Sequence, residues 1–392
     1  MTRAAGSFCP CLVSVRGSRS SWGDPLTTPE QRRTENSMEC LHPNVLLDNG
    51  VEAGPNRWKF LGPLERVAVS TGRTPTEILK SDNYILTPCK RCLACQIRAA
   101  SEWAARCIVE SKYYPDGEKW FVTLTYDQKH IPIMCKQTGD LERGAAALLT
   151  SGPNHEKVNT LWKDDLQKYH KRLRKRLTDL AKKAGQEPPR VKYLACGEYG
   201  PQTGRPHYHE ILLGVALPDA VLRISRDGRQ YYESQMMAET WGFGNIMIEK
   251  MTTETAEYVA RYTTKKLYKG TGKELYQKYR IQEPFLLMSR RPGIGAKFYE
   301  EHRAELKERP EIIVPTKKGS RTIALPRYFR EKQKKDLTIE EQAEKITRLR
   351  ERQLERVELA ESYSSKGYME KLQDEERRQK KRQAELNRKE QL

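Results

Sequence analysis

The 392-residue chain contains no run of eighteen apolar residues, so no membrane-spanning helix is expected. Its first residues lack the apolar core of a secretory signal, which argues against export. It has no Gly-Lys-Thr or Gly-Lys-Ser phosphate loop, so strand separation is expected to come from another protein or from supercoiling. Apolar residues are scarce at 37%, below the usual share for a compact globular protein. The scarcity is uneven: apolar periodicity is good from about residue 84 to 300 and thin outside. Acidic residues are outnumbered, 52 Asp+Glu against 71 Lys+Arg, and the net charge of +19 points to a polyanionic partner. Nine cysteines leave one out of any full disulfide set. Cys89, Cys92 and Cys95 also stand too close together for a bridge framework, which fits a reducing cytosol.

Residues 1–37 are rich in Ser, Arg, Thr and Gly and read as an overlong start or a disordered arm. Residues 38–110 hold a cysteine cluster and a basic helix, with turns but no long pattern over 44–83. Apolar positions Leu93, Ile97, Ala100, Ala104, Cys107 and Ile108 predict that helix from Leu93 to Tyr113. A core domain is expected over 111–300, an extension over 301–329, and a charged tail, helical or disordered, over 330–392. Within the core, Phe121–Tyr126 reads as a central strand, and residues 127–155 as an irregular excursion. Leu161–Leu180 reads as an amphipathic helix with a Leu166, Tyr169, Leu173, Leu177, Leu180 stripe. Its basic face, including Arg172, Lys175 and Arg176, is either solvated or in contact with phosphates. Val191–Ala195 and His207–Leu213 read as paired strands around a glycine-rich loop. A strand near Asn245–Glu249 and a helix from Thr253 to Leu267 follow. The fold class expected is α+β, with an antiparallel sheet and helices on one face.

In Arg205-Pro-His-Tyr-His-Glu210 the two imidazoles are two residues apart, so His207 and His209 leave a strand on the same face and Tyr208 on the other. Two nitrogens make a weak cation site, and Glu198, across the hairpin, is the best third ligand. This set suits Mg2+ or Mn2+ at a phosphate, with Zn2+ also compatible by ligand type. The plainer reading keeps both histidines as polar residues of a half-buried strand. Tyr258 and Tyr262 are i and i+4, one helical turn apart, and Lys265 and Lys266 continue the helix. A phenol is a poor nucleophile near its usual pKa of about 10. A nearby cation or lysine favours the phenolate and offsets phosphate charge. Taken alone, the tyrosine pair reads equally as packing. Following the paired histidines, it points to cutting and rejoining of DNA through a covalent tyrosine link.

Cys89-x-x-Cys92-x-x-Cys95, with Cys40 as a fourth thiol and His42 nearby, suits a structural Zn2+. Buried thiols, or superficially an iron–sulfur run, are the other readings. Arg205, Arg261, Arg290 and Arg291 are candidate DNA contacts. Met288-Ser-Arg-Arg-Pro-Gly-Ile-Gly295 has the charge and flexibility of a phosphate-contacting loop.

Several stretches in order resemble the replication initiators of gokushovirus-type Microviridae phages, within the HUH endonuclease superfamily. They are Pro88-Cys-Lys-Arg-Cys-Leu-Ala-Cys95, Phe121–Tyr126, Cys196-Gly-Glu-Tyr-Gly200, Arg205–His209, Tyr258-Val-Ala-Arg-Tyr262 with the two lysines, and Met288–Gly295. The resemblance covers roughly residues 38–300. It implies a ferredoxin- or RRM-like HUH domain, with His207, His209 and Glu198 as metal ligands and Tyr258 and Tyr262 as nucleophiles. It also implies nicking of the replicative form at the phage origin, single-stranded at the cleavage site, followed by strand rejoining. Host helicase and DNA polymerase would be partners, in the cytoplasm of the infected bacterium. A plasmid-type initiator or relaxase, and a zinc-stabilised binding protein without catalysis, are the competing expectations. The segment before Met38 and the long tail depart from the resemblance.

Overall fold

A computed structural model describes residues 39–389, apart from 51–52, 54–55, 154, 201–202, 266–269, 317–318 and 364–366. The expected arm at 1–37 lies outside the described residues. Among the described residues no helix is long and apolar enough to cross a membrane.

The chain begins with a small antiparallel sheet of β1 (Asn44–Asp48), β2 (Trp58–Pro63) and β3 (Tyr84–Thr87), with β1 central. Two short helices, α1 (Leu64–Thr71) and α2 (Pro75–Lys80), interrupt it. Thr74 starts α2 with a reciprocal capping box to Glu77. Helix α3 (Leu93–Ser111) then leads into β4 (Lys119–Thr125). Residues 127–155 had no readable pattern, yet most of them build a second small sheet. It consists of β5 (Pro132–Cys135), β6 (Leu141–Arg143) and β7 (Lys157–Asn159).

The helix α4 (Lys163–Lys183) precedes the hairpin of β8 (Lys192–Tyr199) and β9 (Pro206–Leu213). After β10 (Val221–Ile224), β11 (Gln230–Glu233) and α5 (Gln235–Trp241) come β12 (Ile246–Lys250) and α6 (Thr253–Lys265). Thr252 and Thr255 exchange side-chain hydrogen bonds with each other's backbone N–H and start α6 directly off the sheet. Further along lie α7 (Gly270–Lys278) and β13 (Phe285–Met288). The main sheet is antiparallel in the order β10-β11-β12-β4-β9-β8-β13.

Helices cover both faces of this sheet, not the single face expected. Strand β4 carries large apolar residues at both parities. Trp120, Val122 and Leu124 pack with Leu166, Tyr169, Leu173 and Leu177 of α4 and Met237 and Trp241 of α5. Phe121 faces the opposite layer, where Ala100, Ala104, Ala105 and Ile108 of α3 meet Ala256, Val259 and Ala260 of α6. A strand apolar on both sides must be buried on both sides. Small residues on α3 and α6 let the two helices approach closely.

The chain continues through α8 (Ala296–Glu301), α9 (Arg303–Glu308), the hairpin of β14 (Glu311–Thr316) and β15 (Gly319–Ala324), and α10 (Arg327–Lys334). The charged tail forms α11 (Ile339–Tyr363) and α12 (Gly367–Lys389). Both fold back onto the first sheet. Val357, Ala360, Tyr368 and Leu372 are buried there with Val45, Leu64, Val67, Ile78 and Leu79. Gln353 reinforces the contact, accepting from Leu86 N–H and donating to the Leu79 and Tyr84 carbonyls.

Candidate active site

The β8–β9 hairpin sets Glu198 opposite His207 and Cys196 opposite His209. Strand β4 flanks the other side of β9, with Thr123 opposite His209 and Thr125 opposite His207. Pleat alternation therefore turns Glu198, His207 and His209 to the α3/α6 face, and Tyr208 to the α4 face, where it is fully buried. Glu198 Oε1 lies 2.7 Å from His207 Nε2 and 3.2 Å from His209 Nε2. One ligand atom from each of the three falls within 4.8 Å of the others.

The neighbours of the rings explain that convergence. His207 Nδ1 donates to the Arg205 carbonyl at 3.1 Å, and His209 Nδ1 lies 2.9 Å from Thr123 Oγ1. With both Nδ1 atoms engaged, both Nε2 atoms turn to the carboxylate, the arrangement that orients imidazoles around a cation. Burial raises the Glu198 pKa, but hydrogen bonds from His207 and His209, with their charge, outweigh it and hold the carboxyl below its usual range. These three atoms can share a proton or a divalent ion. Ligands about 2.1 Å from a common centre stand about 3 Å apart, so the observed spacing fits the ion.

Helix α6 brings Tyr258 to this cluster. Its ring is edge-on to His209 with centroids 5.2 Å apart, and edge-on to Phe121 at 5.9 Å. Phe121 in turn stacks on His209 at 5.6 Å. Arg261, one turn along, sits 5.8 Å from the Tyr258 ring. Tyr262 and Lys265 belong to α6, but their side chains lie outside the described residues, as does Lys266 entirely. Thr123, Phe121 and the Arg205 carbonyl are site components that sequence reading missed. Their only advance signal was the strand reading at 121–126.

The family of the replication-associated protein ORF2 matches residues 119–267, the stretch from β4 through α6. Replication-associated protein ORF2 of Spiroplasma virus 4 is 30% identical over 301 residues, which covers 76% of this chain and 84% of that relative. The chain belongs to the phage replication-associated protein family. Another relative is Replication-associated protein VP4 of Bdellovibrio phage phiMH2K, 29% identical over 250 residues, 64% of this chain and 68% of the relative. Replication-associated protein ORF4 of Chlamydia phage 1 is 27% identical over 188 residues, 47% of this chain and 39% of the relative. No solved structure matches. This is thus a replication protein of Microviridae-type phages, and the site lies inside the matched stretch.

The basic candidates of this replication protein fall in different places. Arg205 donates to the Tyr126 carbonyl at 2.6 Å and steadies the turn before His207. Arg172 donates to the Thr240 and Trp241 carbonyls, closing the end of α5. Arg176 pairs with Glu239 at 2.8 Å and Lys175 with Asp179 at 3.6 Å. All three lie on α4, across the sheet from the imidazoles. Arg290 and Arg291 are exposed. The loop that carries them is gripped by buried charge. Lys192 donates to the Pro292 and Gly293 carbonyls, Arg106 to the Ile294 carbonyl, and Gly295 N–H to Glu110. Gly295 has φ of 80°, and a Cβ there would meet the Phe329 ring at 2.7 Å. Far from flexible, this stretch is a firm platform.

Proposed function

We propose that this phage replication protein is an HUH-type endonuclease of rolling-circle replication, nicking and rejoining one strand at the phage origin. The observation that carries the reading is the Tyr258 ring beside His209, where two imidazoles and a carboxylate converge. His207, His209 and Glu198 would hold Mg2+ or Mn2+. When bound, that ion supplies charge to a non-bridging phosphate oxygen as the P–O bond breaks.

The chain's own residues do the rest. The Tyr258 oxygen attacks phosphorus, the P–O3′ bond breaks, and the phenol proton ends on the departing 3′ oxygen. The products are a 5′-phosphotyrosine and a free 3′-hydroxyl, which primes synthesis. Attack of a 3′-hydroxyl on the phosphotyrosine reverses the step and rejoins a strand. Tyr262, one helical turn on, is the second nucleophile. It cuts again while Tyr258 still holds the first end. Lys265, Lys266 and Arg261 offset phosphate charge, and Arg205, Arg290 and Arg291 contact the backbone of DNA that is single-stranded at the cleavage site. Host helicase opens the duplex and host polymerase extends the primer, in the cytoplasm of the infected bacterium.

A labelled single-stranded origin oligonucleotide with Mn2+ tests this. The expected result is a covalent adduct that survives denaturant and disappears in the Tyr258→Phe/Tyr262→Phe chain. Tight metal-independent binding with no adduct would make it a binding module instead.

A further inference from the structure

A second constellation stands apart from the imidazoles. Cys40 precedes β1, Cys89 follows β3, and Cys92 and Cys95 open α3. Their four sulfurs lie within 4.8 Å of one another, with Cys40 to Cys92 at 3.9 Å and Cys89 to Cys95 at 4.0 Å. All four are free thiols, and these gaps are about twice a disulfide bond of about 2.05 Å. A tetrahedron with metal–sulfur bonds of about 2.3 Å has edges of about 3.8 Å, close to what is observed.

The backbone is arranged for thiolates. Cys89 N–H donates to Cys40 Sγ at 3.2 Å, and Leu41 N–H to Cys92 Sγ at 3.4 Å. Arg91 and Cys92 N–H both donate to Cys89 Sγ, at 3.4 and 3.2 Å. Lys90 makes the last pair possible by adopting φ of 63°, a conformation a non-glycine residue takes at some cost. Four buried apolar thiols would need neither this turn nor four donors aimed at sulfur.

We propose that Cys40, Cys89, Cys92 and Cys95 bind one structural Zn2+ that clasps the N-terminal sheet to the start of α3. Zn2+ replaces four thiol protons, which pass to solvent. The site is left with a net charge of −2, flanked by the exposed Lys90 and Arg91. The clasp has reach in two directions. From it α3 runs along α6 and shares that helix's buried alanines, so the ion fixes the support behind Tyr258. On the other side Glu39 accepts from Tyr368, and His42 pairs with Glu376 at 3.2 Å, so the last helix closes over the segment that carries Cys40.

The inference does not rest on nicking, and its test reads metal and thiols. The full chain, expressed in a reducing cytosol and desalted, should carry about one zinc per molecule by native mass spectrometry and elemental analysis. A thiol reagent should spare Cys40, Cys89, Cys92 and Cys95 until a strong chelator is added. Cys92→Ser should lose zinc and admit trypsin at α12, while Cys135→Ser keeps both the zinc and the resistance. If Cys92→Ser is insoluble, wild-type stoichiometry and thiol protection decide alone. Zinc-free chain with four readily modified cysteines would overturn the proposal, as would visible absorption from bound iron.

Discussion

The ring of Tyr258 stands edge-on to the imidazole of His209, planes at 86°. Phe121 lies flat against the same imidazole, with an interplanar angle of 7°. One histidine thus ties strand β9, strand β4 and helix α6 together, and the nucleophile candidate is registered to the cation candidates by direct ring contact.

Tyr258→Phe keeps those ring contacts and removes one oxygen. Its denaturation midpoint should stay within about 0.5 kcal/mol of wild type, while adducts mapped to position 258 vanish. Tyr258→Ala should cost about 2 kcal/mol, since a half-buried ring is lost. Equal destabilisation by Phe and Ala would mean that the hydroxyl, not the ring, is the structural part.

Thr123→Val removes the oxygen beside His209 Nδ1 without changing side-chain shape. Loss of that orientation should weaken Mn2+ binding by about 10- to 100-fold, measured by calorimetric titration, with the fold intact. Unchanged affinity would show that the strand alone aims the imidazole.

Arg290 and Arg291 sit on a platform free to meet phosphate, whereas Arg172 is occupied by carbonyls. Replacing Arg290 and Arg291 together by Ala should lower the slope of log binding constant against log salt by about 2. Arg172→Ala should lower stability and leave that slope alone. The reverse pattern would put DNA on the α4 face.

Lys192 is buried and reaches Glu110 at 3.5 Å as well as two loop carbonyls. Burial lowers its pKa, and Glu110 opposes the shift. Lys192→Met should cost about 3 kcal/mol by leaving Glu110 unpaired. Adding Glu110→Gln should recover part of it. Strict additivity in a double-mutant cycle would refute the coupling.

Asp48 accepts two hydrogen bonds from Arg57 and one from Arg350 of α11. The Arg57 hydrogen bonds lead in holding its carboxyl below the usual range, against burial. A depressed folded-state pKa stabilises above the unfolded value of about 3.9 and is lost as pH falls through the folded one. Acid should therefore loosen α11 below about pH 4, read by hydrogen exchange. Asp48→Asn should cost about 2 kcal/mol at neutral pH and flatten that acid limb.

The long elements were legible in sequence because their periodicity spans many residues. Helices α3 and α4 and strands β4, β8 and β9 appear near their expected bounds. Both candidate metal sites were legible too, since His-x-His and Cys-x-x-Cys-x-x-Cys keep their ligands close in the chain. The strands of residues 44–87 were not, being four to six residues long and completed by helices from far along the chain. The tail hid its role because Val357, Ala360, Tyr368 and Leu372 are sparse among charges. Arg172 looked like a phosphate ligand because its carbonyl acceptors belong to an element some seventy residues on. Nothing local to Trp120-Phe121-Val122 revealed that helices would cover both of its sides.

The packing of Tyr368 and Leu372 against Val45 and Ile78 bears on how the molecule is made. During synthesis the first sheet emerges from the ribosome without half of its core and must wait, apolar side bare, for some three hundred further residues. Ribosomes that stop early would release a product whose central sheet is assembled but whose opening module stays unclosed, a ready target for host proteases.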